Sequence, residues 1–475
     1  MSSSNPSRAP RPGRWAAALP LLAALAGCAS FSPDGGFGPA QQAARTRLDK
    51  DAVWVRSDAD RALVQTRTRE LLAHPLSMED AVQVALLNNP GLQARYADLG
   101  IAEADLVQAG RLPNPGFTFS RVHSANDLQI TRLFSLDVLQ LLALPFATQV
   151  EQRRFAQARL AAADDTLRLA AEARRAYVNA VAAQQLAVYA DQVNDAAQAG
   201  AELAARMAHA GNFSKLEHLR EQAFYADAAA GQARTRSEAR AARERLTRVL
   251  GLWGGDAGYT LPDRLPDLPA ERTDLHGLEQ AAMQSRFDVQ AARQQTEAVA
   301  AGLGLTRATR VVNVLEAGFA HNYETDKGRE NGWEVRLEIP LFDWGGARVA
   351  RAEAQYLQAA QRLRETAIDA RSEVRTAYAD YRTQYDLARH YRDEVVPLRK
   401  RVSDETLLRY NGMLASVFEL LADAREQVGA VQGAIGALRD YWLADADLRS
   451  ALGGRLPAPA PAADAPPSST ESHEH

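Results

Sequence analysis

The sequence predicts a mainly α-helical protein whose helices form long antiparallel coiled-coil hairpins, with about four β-strands in addition. Residues 347–411 contain one proline and no glycine, so a continuous helix there would be roughly 97 Å long. Residues 147–210 contain no proline and a single glycine, and as helix they would span roughly 96 Å. Short runs of alternating apolar and polar residues lie between the helical stretches, and this alternation is typical of strands.

Composition excludes several classes of function. The chain has 475 residues, a net charge of -4 and 7% aromatic residues. It therefore has neither the basic stripe nor the aromatic clusters of a nucleic-acid-binding protein. Its single cysteine excludes an internal disulfide and a cysteine-based metal or redox site. We find no catalytic constellation, no phosphate-binding glycine loop and no clustered metal ligands, so we expect no enzyme, no metal and no cofactor apart from a covalent lipid.

The N-terminus indicates secretion. Three arginines precede an apolar run, residues 15–26, that is too short to cross a membrane as a helix. The run ends in Leu25-Ala26-Gly27-Cys28, which is similar to the bacterial lipobox. Residues 1–27 would then be a lipoprotein signal peptide, with palmitate carried on Cys28, and Ala29 in second position implies retention in the outer membrane. The alternative is a chance cysteine near a signal peptide.

The rest of the chain reads as two tandem copies of helix, strand, strand, long helix, turn, helix. The Ala-Tyr pairs at Tyr177 and Tyr378 are 201 residues apart, and so are the glycines of the two helix turns, Gly211 and Gly412. We predict four segments after the signal peptide: a lipidated tether and helix at 28–75, the first repeat at 76–268, the second repeat at 269–456, and a disordered Pro/Ala-rich tail at 457–475. The tail ends in two histidines, which a solvated tail explains better than a metal site.

Local signals predict the remaining boundaries. Residues 40–74 look like one amphipathic helix. Ser77 and Asp80 form a capping-box pattern that starts another helix, which Pro90 should kink. The predicted strands cover residues 117–120, 128–138, 311–321 and 333–339.

The last strand has the cleanest alternation. Trp333, Val335, Leu337 and Ile339 fall on one face, and Glu334, Arg336 and Glu338 on the other. Such a sheet suits lipid on one side and water on the other, or a soluble core on one side. Four strands are too few to close a barrel, and an open edge cannot exist in lipid. If the strands lie in a membrane, the protein must oligomerise.

The long helices carry a seven-residue apolar repeat, which is typical of coiled coils. One series contains Val374, Tyr381, Ala388, Val395 and Val402. The pattern alone does not separate a filled coiled coil from a hollow helical barrel. The combination of paired strands with paired long helices in each repeat favours a continuous tube.

Several of these motifs resemble those of the TolC-type outer membrane efflux proteins. The resemblance covers residues 76–452 and rests on four stretches: 76–90, 210–214 (Ala-Gly-Asn-Phe-Ser), 339–346 (Ile-Pro-Leu-Phe-Asp-Trp-Gly-Gly) and 409–412 (Arg-Tyr-Asn-Gly). It implies a homotrimer in the outer membrane, with a shared 12-stranded β-barrel and an α-barrel extending into the periplasm. It also implies a periplasmic adaptor and an inner-membrane pump as partners.

The resemblance also implies roles for individual residues. The strand-to-helix turn would contain Pro340, Asp343 as the helix cap, and Gly345 and Gly346 at the bend. The periplasmic tips that meet the adaptor would contain Gly211, Asn212, Phe213, Asn411 and Gly412. The gate candidates are Tyr410, Glu419 and Asp423, although the acid in Leu421-Ala422-Asp423-Ala424 comes one position later than the family pattern has it.

The leading hypothesis is therefore a passive exit duct of a tripartite efflux system. One alternative is a periplasmic adaptor, but an adaptor should have a single hairpin with β-rich flanks. Another is a lipid-anchored coiled coil without a pore. The sequence does not specify the cargo, which could be drugs, metal ions or exported proteins.

Overall fold

The computed structural model describes residues 30–124, 127–272, 275–311, 314–454 and 456. Cys28, the signal peptide and the tail 457–475 lie outside the described residues. Within those ranges the chain forms eleven α-helices and four strands. They are α1 Gly38–Ala43, α2 Asp58–Leu72, α3 Met78–Asn88, α4 Pro90–Ala109, β1 Gly116–Ser124, β2 Asp127–Asp137, α5 Val138–His209, α6 Lys215–Leu250, α7 Leu278–Ser285, α8 Phe287–Ala308, β3 Leu315–Glu324, β4 Gly328–Leu337, α9 Gly346–His390, α10 Val396–Asn411 and α11 Val417–Ala451.

The order of elements is duplicated, with α3 to α6 in the first copy and α7 to α11 in the second. Two helix boundaries differ from the prediction. The single helix expected at 40–74 is wrong, because Asp49 adopts a left-handed conformation and Ser57 caps a new helix, α2. The chain also breaks at Asn89 rather than bending at Pro90: Asn89 is extended, and its Oδ1 accepts a hydrogen bond from Leu92 N at 3.0 Å.

The chain divides into two compact units. The strand unit contains the described part of Met1–Gly36 with Gly100–Phe155 and Gln295–Ala359. The helical unit contains Phe37–Leu99, Ala156–Gln294 and the described part of Ala360–His475. In the described residues, no helix combines the length and the apolar character needed to cross a membrane.

The strand unit holds one antiparallel sheet in the order β1-β2-β3-β4. Three strand boundaries differ from the prediction: β3 begins at Leu315, β4 begins at Gly328, and β2 ends at Asp137. Asp137 Oδ1 accepts a hydrogen bond from Gln140 N at 2.8 Å and so caps α5. The long helix therefore starts at Val138, nine residues before the predicted start, and continues through Pro145.

The sheet separates apolar from polar side chains. Cross-strand partners point to the same face, so the register defines the faces of all four strands. We call the face that contains Trp333 the apolar face, and the face that contains Glu334 the polar face. Glycine, serine, threonine and acidic residues predominate on the polar face.

The turn from β4 into α9 depends on Gly345. Its φ is +75°, and a Cβ there would lie 2.4 Å from the carbonyl oxygen of Arg310, so no larger residue fits. Asp343 does not cap α9 as expected. Its Oδ1 accepts a hydrogen bond from Gly345 N at 2.8 Å, within the turn itself. Gly346 begins the helix in open space, and Pro340 lies before the bend.

The helical unit is held by a core rich in alanine and tyrosine, which allows the helices to approach closely. Val374, Tyr381 and Ala388 of α9 are buried at the predicted seven-residue spacing. The series stops after Ala388, because residues Tyr391–Val395 form one turn of π-helix between α9 and α10. A π turn inserts one residue into a helix and changes the direction of every side chain that follows.

An acidic side chain lies inside the helical unit on α5. Asp164 is 20% exposed and lies 2.6 Å from Arg168. Burial raises the pKa of its carboxyl to about 6; the neighbouring Arg168 opposes the shift, and the negative charge of Asp288 adds to it. The folded protein therefore favours the protonated form of Asp164 more than the unfolded chain does.

We predict that Asp164→Asn will reduce the loss of stability on raising the pH. Because the folded-state pKa of about 6 exceeds the unfolded value of about 3.9, the folded state binds more protons in this window, and its stability falls as the pH rises from about 4 to 6. The asparagine variant should lack this loss, of up to about 3 kcal/mol at neutral pH. Thermal unfolding in detergent at pH 4, 5, 6 and 7 measures it.

The control is Asp191→Asn, on the same helix in an exposed ion pair with Arg236. Its pH profile should remain like that of the wild type in the same window. Identical profiles for wild type and Asp164→Asn would contradict the prediction.

Candidate functional site at the two helix turns

The first helix turn joins α5 to α6 and is closed by backbone hydrogen bonds. Gly211 has a φ of +79°, and Asn212 N donates to Met207 O at 2.9 Å, which is how a Schellman motif ends a helix. Ser214 then caps α6 in a full capping box with Glu217. Hydrogen bonds from Ser214 lower the pKa of Glu217.

The second helix turn joins α10 to α11 with the same geometry but different residues. Met413, not Gly412, has the positive φ, at +59°. Leu414 N donates to Arg409 O at 2.8 Å, and Ser416 caps α11. A methionine in this conformation is unusual, because a left-handed residue is normally glycine or asparagine.

The geometry corrects the predicted alignment of the repeats. The structural equivalent of Gly211 is Met413, 202 residues later, and the caps Ser214 and Ser416 are also 202 apart. The offset of 201 fits the buried positions before the π turn, such as Ala180 and Tyr381. The extra residue of the π turn accounts for the change from 201 to 202.

The predicted tip residues differ in accessibility. Gly211, Asn212, Asn411 and Gly412 are exposed. Phe213 is 8% exposed, and its ring stacks on Phe418 of α11 with centroids 4.6 Å apart. Phe213 therefore joins the two turns and is not available to a partner. Sequence reasoning missed the apolar pair that is exposed, Met413 at 94% and Leu414 at 81%.

A buried ion pair joins the first hairpin to the second. Glu221 of α6 is 3% exposed and accepts a hydrogen bond from Arg425 of α11. The guanidinium of Arg425 also lies over the ring of Phe224, 4.6 Å from its centroid. Gly200 of α5 leaves room for the Glu221 carboxylate, since a Cβ there would lie 3.9 Å from it. The arrangement can hold the two hairpins in register close to their turns.

Asp423 occupies the position in α11 that Glu221 occupies in α6, 202 residues earlier. It is 8% exposed, and its Oδ2 has no hydrogen-bond partner in the described part of the chain. Asp423 is therefore packed inside the helical unit, whereas the gate hypothesis needs an acid at the surface. The other two gate candidates, Tyr410 and Glu419, are exposed. Alignment at 202 would have indicated Glu221 as the partner acid.

A second polar surface lies on the sheet of the strand unit. The polar face carries every acidic residue of the described strands: Asp127, Asp137, Glu316, Glu324, Glu330 and Glu334. It carries one basic residue, Arg336, which pairs with Glu316 at 3.0 Å and Glu334 at 3.5 Å. A water-filled space bounded by this face would attract cations. Over the described ranges no group of three metal-ligating side chains is present.

We predict that Glu221→Gln will loosen the helix turns, because Arg425 loses its charged partner in a buried place. Removing one member of a buried charged hydrogen bond costs about 1–3 kcal/mol. Trypsin cleavage after Lys215 and Arg409, one in each hairpin, should accelerate roughly tenfold. Cleavage rates followed by mass spectrometry measure this.

The matched control is Glu426→Gln, which removes the partner of Arg399 from a pair in which the glutamate is 59% exposed. Exposed pairs contribute little, so cleavage should change less than about twofold. Equal acceleration in the two variants would show that the Glu221 pair does not hold the hairpins.

The sequence matches a known family in its second half. The family model described as outer membrane efflux protein matches residues 278–454. The chain is also 26% identical over 298 residues to the cobalt-zinc-cadmium resistance protein CzcC of Cupriavidus metallidurans, a match that covers 60% of this chain and 68% of CzcC.

Solved structures have the same fold. A membrane protein from Pseudomonas aeruginosa superposes with a TM-score of 0.69 at 20% identity, over 79% of this chain and 92% of that one. The outer-membrane channel OprN superposes with a TM-score of 0.67 at 18% identity, over 87% and 95% of the two chains. With its duplicated hairpins and four-strand sheet, the chain belongs to the outer membrane efflux protein family, whose members are channels and not enzymes.

Proposed function

We propose that three copies of this chain form the exit duct of a tripartite efflux system. The observation that carries the proposal is the sheet: β1 and β4 each pair on one side only within the described chain, and the two faces differ sharply in polarity. Unpaired strand edges cannot exist in lipid. Three sheets of four strands would close a twelve-stranded barrel, with the apolar face against lipid and the polar face around water.

The proposed partners are a periplasmic adaptor and an inner-membrane pump. The helix turns support an adaptor contact, because Met413 and Leu414 are large apolar side chains exposed at 94% and 81%. Isolated exposed apolar side chains at a helix turn are costly in water and suit an interface. Tyr410 and Glu419 remain the gate candidates at this end. The duplicated hairpin argues against an adaptor, which would have one.

We propose divalent metal cations as the cargo. Two features support this: the partial identity to CzcC, a cobalt-zinc-cadmium resistance protein, and the six acids of the polar face. Three copies of that face would line the barrel with carboxylates, which favour cations over anions.

We also propose that the protein is anchored in the bacterial outer membrane by palmitate on Cys28, with its helices in the periplasm. The lipobox-like Leu25-Ala26-Gly27-Cys28 supports the anchor. The glycines and prolines of residues 33–39 would give a flexible tether between the lipid and α1.

In planar bilayers the purified trimer should give stepwise currents that prefer cations. Combining Asp127→Asn with Glu330→Gln removes six carboxylates from the trimer and should lower the cation preference, measured as reversal potentials in KCl and ZnCl2 gradients. Gln129→Asn, on the same face without a charge change, is the control. Cells that lack the gene should tolerate less cobalt, zinc or cadmium.

A trimer that never conducts, even with Glu419→Gln, would refute the duct. Conduction with loss of tolerance to organic drugs alone would leave the duct and refute the metal cargo.

Cys28→Ser should abolish incorporation of labelled palmitate, since Cys28 is the only cysteine. Ser30→Ala is the control and should be labelled like the wild type. Palmitate retained by Cys28→Ser would exclude this anchor.

A further inference from the structure

The apolar face carries one aromatic residue on each strand, and the four are direct cross-strand neighbours. The row runs Phe117, Phe134, Phe319, Trp333. Its rings touch in pairs, with centroids 4.8 Å apart for the first two and 5.4 Å for the last two. All four side chains are exposed in the single chain. Aromatic rows of this kind lie where the apolar band of a membrane barrel meets the polar headgroups.

Beyond each aromatic residue, toward the hairpin ends of the strands, the same face becomes cationic. Arg121 follows Phe117 by four residues on β1, and Arg132 precedes Phe134 by two on β2. On β4, Arg329 precedes Trp333 by four. At roughly 3.3 Å per residue, each guanidinium is about 7–13 Å past its aromatic neighbour. The β3 equivalent is His321, hydrogen-bonded to Asn331 at 2.5 Å.

These three arginines, here called the arginine belt, have no counter-charge on their own face. Within the described strands all six acids are on the polar face, and none is on the apolar face. No ion pair or side-chain hydrogen bond joins Arg121, Arg132 or Arg329 to any described residue, whereas Arg336 on the polar face has two acidic partners. Three unpaired cations beside an apolar surface require an anion from outside the chain.

We propose that the arginine belt binds a lipid of the outer leaflet that carries more than one phosphate group, namely a bisphosphorylated glycolipid. This inference rests on the proposed membrane barrel, which places the hairpin ends of the strands outward. Guanidinium groups form paired, charge-assisted hydrogen bonds with phosphate oxygens. The aliphatic stems of the arginines and the aromatic row would contact the acyl chains.

The spacing favours two phosphates over one. Neighbouring strands are about 4.8 Å apart, so the belt from β1 to β4 extends over about 14 Å. A single phosphate would reach one or two of these guanidiniums. A headgroup with phosphates at both ends can reach guanidiniums on separate strands, which explains why the belt crosses the sheet.

The experiment uses the full-length trimer in detergent and purified lipid A, bisphosphorylated, with binding measured by native mass spectrometry. Arg121→Gln, Arg132→Gln and Arg329→Gln combined should weaken binding roughly tenfold or more. Arg336→Gln on the polar face is the matched control and should bind like the wild type. Monophosphorylated lipid A should bind the wild type more weakly than the bisphosphorylated form.

Unchanged binding in the triple variant, or an equal loss in Arg336→Gln, would overturn the proposal. Equal affinity for lipid A and phosphatidylglycerol would also overturn it, because the belt would then recognise any anionic lipid. Conductance in neutral phospholipid bilayers separates this result from the proposed function. The triple variant should conduct there like the wild type, whereas loss of the duct itself would abolish both currents.

Discussion

The constraint on which the rest of this structure depends is the pairing of backbone groups at the two edges of a four-strand sheet. β1 and β4 each have one partner in the described chain, and no other described strand is available to pair with them. In water such an edge invites aggregation, and in lipid it is not tolerated. Oligomerisation supplies the missing partners. The alternating faces then acquire a lipid side and a water side without any change in the chain itself.

The duplicated helices follow from the same requirement, but the two copies are not identical rods. The π turn at Tyr391–Val395 adds one residue to the second. Beyond it, equivalent side chains are 202 residues apart and no longer 201, and Ala242 and Leu246 match the buried Ala444 and Leu448 at the new offset. The inserted residue thus restores the packing of the return helix. It also explains why an acid that looks displaced in the sequence, Asp423, is buried at the position of Glu221.

The sequence predicted the features that depend on periodicity or on a single steric requirement. The alternation around Trp333 placed β4 on the correct faces, and the glycine of the strand-to-helix turn, Gly345, is required by its contact with Arg310. Features that depend on a local competition were missed. Asp137 caps α5 and ends β2, so the helix begins before Pro145. The role of Phe213 depends on a partner ring in the other hairpin, and no local pattern indicates which distant residue a side chain will meet.

Charge on the sheet follows the same period of two as polarity. The polar face holds all six strand acids, and the apolar face holds the arginines with no acid beside them. A random surface would mix the two signs, because neighbouring opposite charges stabilise each other across strands. Arg336 shows that this pairing is available here, since it bridges two glutamates. Keeping three arginines away from those acids forgoes that stabilisation within the chain. The separation is therefore best explained by what lies outside each face: permeating cations on one side and anionic headgroups on the other.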